Sequence, residues 1–169
     1  TLSLALAATL HRRVIVFDPN DQFRSVVSVN TGDLGGWLSD HPASEAYAFV
    51  RVGPFDSDAI SDEFAAFSRA LFDVPDISVI VDEAQMLQAA NQIHPDLDRW
   101  NRRSTASQAV IQTTHRIVDV HTDTRYHADC CFFFYAHLPR ELKTLGENFS
   151  PDLPVRVSAL SQYQVVRFE

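Results

Sequence analysis

Ile77-Ser78-Val79-Ile80-Val81-Asp82-Glu83-Ala84-Gln85 is the stretch that decides the fold. Its first five positions are mostly apolar and β-branched with no clean alternation, the pattern of a strand buried on both faces of a parallel sheet. The run stops at two adjacent carboxylates, and the helix formers Ala84, Gln85, Met86 and Leu87 follow. Open α/β sheets bind ligands beyond the C-terminal ends of their strands, which puts Asp82 and Glu83 at the ligand-facing edge. One acid there can hold Mg2+, and its neighbour can orient or deprotonate a water. The same string also suits a buried strand running into an acidic helix N-terminus, where the macrodipole favours carboxylates.

The flanking sequence extends this unit in both directions. Leu2, Leu6 and Leu10 share one helical stripe, and Val14–Phe17 reads as a strand ending at the Asp18-Pro19-Asn20 turn. Residues 30–42 read as loop plus a short helix around Leu34–Leu38, and Ala46–Val52 as a second strand. Asp56–Phe72 is the clearest helix, with Asp56 and Ser57 as cap candidates and Ile60, Phe64, Phe67 and Leu71 as the apolar stripe. A helix to about Gln92 is predicted after Glu83, then strands at Ala109–Thr113 and Cys130–Ala136. Pro139 at N1 and Gly146 past the end bracket a short helix. Val155–Ala159 and Tyr163–Phe168 close the chain as a hairpin or edge pair. Strands alternating with helices give an α/β fold with a largely parallel sheet and helices on both faces.

At 169 residues the chain is read as one domain, with ordinary apolar (46%) and charged (21%) content. No apolar stretch reaches the length of a transmembrane span. Thr1–Leu10 lacks the basic region and cleavage motif of a signal peptide. Cys130 and Cys131 are adjacent in an apolar run, which suggests core residues in a reducing, cytoplasmic setting. One lysine stands against thirteen arginines and sixteen aspartates against six glutamates, for a net charge of −8. That balance argues against a surface that coats nucleic acid, while leaving room for a ring whose basic residues line only the pore.

Three segments gain meaning together. Thr1–Phe17 has the helix–strand arrangement that follows a phosphate-binding loop, Gly-x-x-x-x-Gly-Lys-Ser/Thr. That loop is not in the chain, and Thr1 is either its terminal hydroxyl, poised for Mg2+, or the next residue. Without the Gly-Lys element there is no backbone nest or cation for the β- and γ-phosphates. Asp82 and Glu83 supply the second half of such a site, the Walker B element. Val110-Ile111-Gln112-Thr113-Thr114-His115-Arg116 is a short strand tipped with polar groups that can bond a γ-phosphate or its attacking water; an ordinary polar turn fits it equally.

With these segments in register, the chain resembles the FtsK–HerA superfamily of P-loop ATPases, nearest the DNA-packaging ATPases of tailless, membrane-containing icosahedral viruses and Zot-like proteins. Val14–Pro19 looks like that family's second strand with its Asp-Pro turn, and Ala48–Val52 is similar to its extra strand. Val79–Gln85 matches the Walker B. Ile111–His121 is similar to the sensor strand, with Thr113 and Arg116 kept, His115 in place of glutamine and Ile117 in place of proline. Ala128–Tyr135, Arg140–Gly146 and Leu160–Phe168 fit the family's ending. The resemblance implies a P-loop (RecA/ASCE-like) ATPase domain over residues 1–169 that lacks its first strand and loop. It also implies ATP and Mg2+ as ligands, double-stranded DNA as partner and a homo-oligomeric, hexameric ring at a capsid vertex or beside membrane-associated proteins. Within that frame Asp82 holds the metal, Glu83 polarises the water, Thr113 and His115 sense the γ-phosphate, and Arg116 or Arg103 completes a neighbouring subunit's site.

The family's Arg-His-Arg run before the sensor strand has only Arg102 and Arg103 as counterparts, a little early. Asn91–Ser107, with Arg99, Trp100, Arg102 and Arg103, either grips duplex phosphates in a pore or is an exposed element with Trp100 folded onto the core. Two other readings stand: a non-hydrolysing DNA-binding or scaffold subunit on a degenerate P-loop fold, and a metal-assisted hydrolase using His115, His121 and His127. The six-residue spacing of those histidines fits no helix or strand face.

Overall fold

The computed structural model describes residues 2–44, 48–103, 107–161 and 164–169; Thr1 lies outside them, as do Ala46 and Tyr163 at the starts of two predicted strands. In chain order the elements are α1 (Leu2–Leu10), β1 (Arg13–Phe17), β2 (Ser28–Val29), α2 (Leu34–Asp40), β3 (Ala48–Val52), α3 (Ile60–Leu71), β4 (Ile77–Val81), β5 (Gln88–Ala89) and β6 (Gln92–Ile93). They continue with α4 (Pro95–Asn101), β7 (Gln108–Gln112), α5 (Thr122–His127), β8 (Cys131–Phe133), α6 (Pro139–Asn148), α7 (Leu153–Ser158) and β9 (Val166–Phe168). Among the described residues, five strands form one parallel sheet in the order β2-β3-β1-β4-β7.

Every residue of β1 and β4 is buried, which is why neither alternates in sequence. Ile15, Phe17, Val79 and Val81 face a core built with Phe64, Phe67 and Leu71 of α3, Leu34 and Trp37 of α2, and Leu97 and Trp100 of α4. Val14, Val16 and Ile80 face the opposite side, under Ala7 of α1 and Phe23. A third cluster joins α6, α7 and the antiparallel β8–β9 pair through Leu145, Leu153, Val157 and Val166.

Several boundaries and two element types differ from the sequence reading. The helix expected after Glu83 is a single 3-10 turn over Ala84–Met86, followed by the β5–β6 hairpin. Val155–Ala159 lies mainly in α7, and β9 pairs with β8 instead. Gly146 lies inside α6. α3 begins at Ile60 with no side-chain cap, so Asp56 and Ser57 do not cap it. Cys130 and Cys131 are half-buried free thiols; burial and then Cys130 push the Cys131 thiol up to about 11.

α1 turns its small residues inward. Ser3 and Ala7 are buried, whereas Leu2 and Leu10 are 40% and 58% exposed. Small side chains let the helix lie close enough to β4 for Ser78 Oγ to donate to the Ala7 carbonyl at 3.0 Å. His11 Nδ1 lies 3.1 Å from the same hydroxyl. Ser78→Ala is expected to cost about 1 kcal/mol, the net worth of one buried hydrogen bond, read as a lower urea midpoint at unchanged m-value.

Candidate active site at the acidic tip of the central strand

Parallel pairing carries the C-terminal ends of β3, β1, β4 and β7 to one edge, and backbone bonds continue past the strands. Asp18 N–H donates to Val52 O at 2.9 Å, Asp82 N–H to Phe17 O at 3.0 Å and Thr113 N–H to Val81 O at 3.0 Å. Asp18, Asp82 and Thr113 therefore stand side by side. The strand alternation that buries Val81 on one face and Ile80 on the other delivers Asp82 to the point where the core ends.

Asp18 is already committed. Its buried carboxylate accepts from Gln22 N–H (2.8 Å) and Phe23 N–H (2.9 Å) and pairs with Arg51 Nη1 at 3.2 Å. This organises the loop after β1 and leaves the acid little capacity for a ligand. Gly53 closes over the same loop: with φ at +125°, a Cβ there would lie 2.1 Å from the Asp18 carbonyl oxygen. No side chain fits that approach.

Asp82 is different. Thr113 Oγ1 donates to its Oδ1 and accepts from Glu83 N–H at 3.3 Å, which fixes the direction of the hydroxyl. Oδ2 is buried and has no hydrogen-bond partner. Burial raises the Asp82 carboxyl above its ordinary pKa; the Thr113 bond opposes this, and Glu83 and Asp18 add to it. A buried carboxylate with one oxygen unpartnered suits a cation, and a lone carboxylate oxygen is the kind of protein donor that holds Mg2+ alongside waters and phosphates.

Glu83 sits in the left-handed region at φ 52°, outside the preference of a bulky residue and an expected feature of a functional turn. Its side chain is 8% exposed and held on both oxygens. His115 Nε2 lies 2.7 Å from Oε1, and Gln85 Nε2 donates to Oε2. The structure thus gathers Asp82, Glu83, Thr113 and His115 at one edge. A closed polar ring supports β7 from beneath: Gln88 Nε2 donates to Gln112 Oε1 (3.1 Å), Gln112 to Asn101, Asn101 to Thr124 (2.8 Å), and Thr124 back to Gln88 (2.8 Å).

The arginines lie elsewhere. Arg102 pairs with Asp98 at 2.9 Å and Asp123 at 2.8 Å, and Arg103 with Asp73 at 3.3 Å. Arg99 and Arg103 stack over Phe72 at 3.6 and 4.2 Å. These side chains line an open groove of about 540 Å3 that shares no residue with the acidic tip. Trp100 is buried and donates to Ser68 Oγ at 3.1 Å, so this part of the polar stretch is an element with its tryptophan folded onto the core. Arg116 is 56% exposed and pairs with Asp119 at 3.3 Å. His121 Nδ1 accepts from Asp123 N–H at the start of α5, and His127 ends that helix against the Tyr126 ring. Among the described residues no three His, Cys, Asp or Glu side chains are grouped to hold a metal.

Sequence reading passed over the roles of Asp18, Gly53 and Gln85. Asp-Pro and Gly-Pro directly after apolar runs were the available signals for the first two. Gln85 offered none.

The genome-packaging NTPase B204 of Sulfolobus turreted icosahedral virus 2, in complex with AMP, superposes with a TM-score of 0.72 at 19% identity over 99% of this chain and 81% of its own. The chain has the fold of a viral genome-packaging NTPase. The same enzyme with ATP-γS gives 0.70 at 17% identity, over 99% of this chain and 86% of its own. B204, the DNA-packaging ATPase of Sulfolobus turreted icosahedral virus, gives 0.67 at 17%, over 99% and 87%. No family model matches the sequence, and no curated protein does.

Proposed function

We propose that this chain is the ATPase domain of a DNA-translocating, genome-packaging motor of the FtsK–HerA type, with ATP as its fuel. The observation that carries the reading is the buried, unpartnered Oδ2 of Asp82 beside a doubly held Glu83 at the tip of the central strand. Packaging-NTPase neighbours of the same fold, crystallised with AMP and ATP-γS, support a nucleotide at this edge.

Asp82 would hold Mg2+ through Oδ2, and the ion would neutralise charge on the β- and γ-phosphates. Thr113 keeps Asp82 Oδ1 occupied and so leaves Oδ2 as the oxygen available to the ligand. Glu83 orients and deprotonates the attacking water, while His115, 79% exposed, would leave Glu83 Oε1 to reach the γ-phosphate. Residues preceding Thr1 supply the phosphate-binding loop and a first strand. A homo-oligomeric ring, hexameric as in the family, lets Arg116 reach a neighbouring site, since it follows the sensor strand and is held by one exposed ion pair. Double-stranded DNA passes through that ring by phosphate contacts without base reading. Arg102 and Arg103 contribute to it only after leaving their aspartate partners. No helix among the described residues is long and apolar enough to cross a membrane. The packaging reading itself puts the motor in the host cytoplasm or at the virion vertex.

The protein carrying the segment before Thr1 is expected to hydrolyse ATP in a Mg2+-dependent, DNA-stimulated manner, measured as phosphate release. Residues 1–169 alone are expected to bind ATP weakly, because the phosphate nest is absent. Tight Mg2+-dependent binding to residues 1–169, or no turnover by the longer protein, would leave the non-hydrolysing scaffold as the better account.

A further inference from the structure

Gln85 follows Glu83 by two residues on the 3-10 turn, and its amide is split between two fates. The nitrogen donates to Glu83 Oε2, while the oxygen, Oε1, is buried with no partner. The amide cannot be reversed, because its oxygen would then face a carboxylate oxygen. A buried acceptor without a donor is costly, and a bound water is one donor that can satisfy it. Oε1 shares its carbon with the nitrogen that grips the carboxylate, so a donor on Oε1 can also reach Glu83. A water suits the place: it brings two O–H groups, and each carboxylate oxygen retains a lone pair beyond those used by Gln85 and His115.

We propose that Gln85 is a positioning residue for hydrolysis, its Oε1 accepting one O–H of the attacking water while Glu83 accepts the other. This rests on the ATPase reading of the site. Both hydrogens are then assigned. The water oxygen bonds to the γ-phosphorus as the bond to the ADP oxygen breaks, one proton passes to Glu83, and the second stays on the new phosphate, facing Gln85. With two acceptors the water has one lone pair aimed at phosphorus, which a single acceptor leaves free to rotate.

Two measurements on the protein with its preceding segment test this. Gln85→Leu is expected to lower kcat by about tenfold or more with the KM for ATP within about twofold and the melting temperature not lowered. A loss confined to KM, or a kcat within about twofold of wild type while Glu83→Gln is inactive, overturns the Gln85 assignment and leaves the ATPase reading intact. Absence of turnover in the wild type overturns both. Independently of activity, a high-resolution crystal structure without nucleotide is expected to show an ordered water shared by Gln85 Oε1 and Glu83. A protein donor on Oε1, or a dry Oε1, contradicts the proposal.

Discussion

Glu83→Gln is expected to lower ATP turnover by on the order of 10³-fold while nucleotide affinity stays within about twofold. The side chains are isosteric, so the turn at φ 52° and the packing around it are kept. What is lost is the proton acceptor: an amide oxygen cannot take a proton from water near neutral pH. Gln85 and His115 both approach this carboxylate, so one of them loses an acceptor to the new amide group. That rearrangement affects the water and not the phosphates, which is why binding survives. Phosphate-release kinetics alongside a nucleotide titration separate the two quantities. Turnover close to wild type would remove Glu83 from the mechanism.

Asp82→Asn should do two opposite things. It should abolish the Mg2+-dependent part of nucleotide binding, and it should stabilise the nucleotide-free protein. Burial raises the Asp82 carboxyl pKa, so above its ordinary value the folded chain retains a proton that the unfolded chain has lost. Stability from this group is complete below the unfolded pKa and is lost as pH rises through the raised folded value. Once pH has risen past that raised value, the folded state holds a half-satisfied buried charge beside Glu83 and Asp18, and asparagine removes it. A rise of about 2–4 °C in melting temperature at pH 7 is the expected scale for a domain of this size. The gain should shrink as pH falls toward the ordinary carboxylate range. Thermal scans across pH, with and without Mg2+ and nucleotide, read both effects. A variant less stable than wild type at pH 7 would show that Asp82 is held for structural reasons.

Much of the fold was legible because burial writes itself into periodicity. Ile77–Val81 is a strand with the bounds its apolar run suggested, and the Ile60, Phe64, Phe67 and Leu71 stripe of α3 packs on the sheet as spaced. The failures have particular causes. Ala84–Leu87 are helix formers, yet after Glu83 in the left-handed region the chain makes one 3-10 turn and then the β5–β6 hairpin. Local propensity carries no information about that residue. Val155 and Val157 looked like strand residues, but Pro154 starts a helix, and Leu153 and Val157, four apart, share its buried side. Leu2, Leu6 and Leu10 share a helical stripe by spacing, yet Leu2 and Leu10 are exposed, whereas close approach to β4 selects Ser3 and Ala7 for the buried side. The ion pairs that hold Arg102 and Arg103 form only where the fold brings Asp98, four residues before Arg102, and the distant Asp73 and Asp123 beside them. At the site, the acidic pair was visible as residues, while the Asp82 orphan oxygen and the two-sided hold on Glu83 exist only in three dimensions.

The most direct test is to locate the ion itself. Crystals of the protein with its preceding segment, grown with Mn2+ and a non-hydrolysable ATP analogue, give the metal position by anomalous scattering. The expected peak lies at the end of β4, within one water of Asp82 Oδ2 (about 4 Å), and disappears in Asp82→Asn. A peak away from that edge, or one that persists unchanged in the variant, would contradict the account.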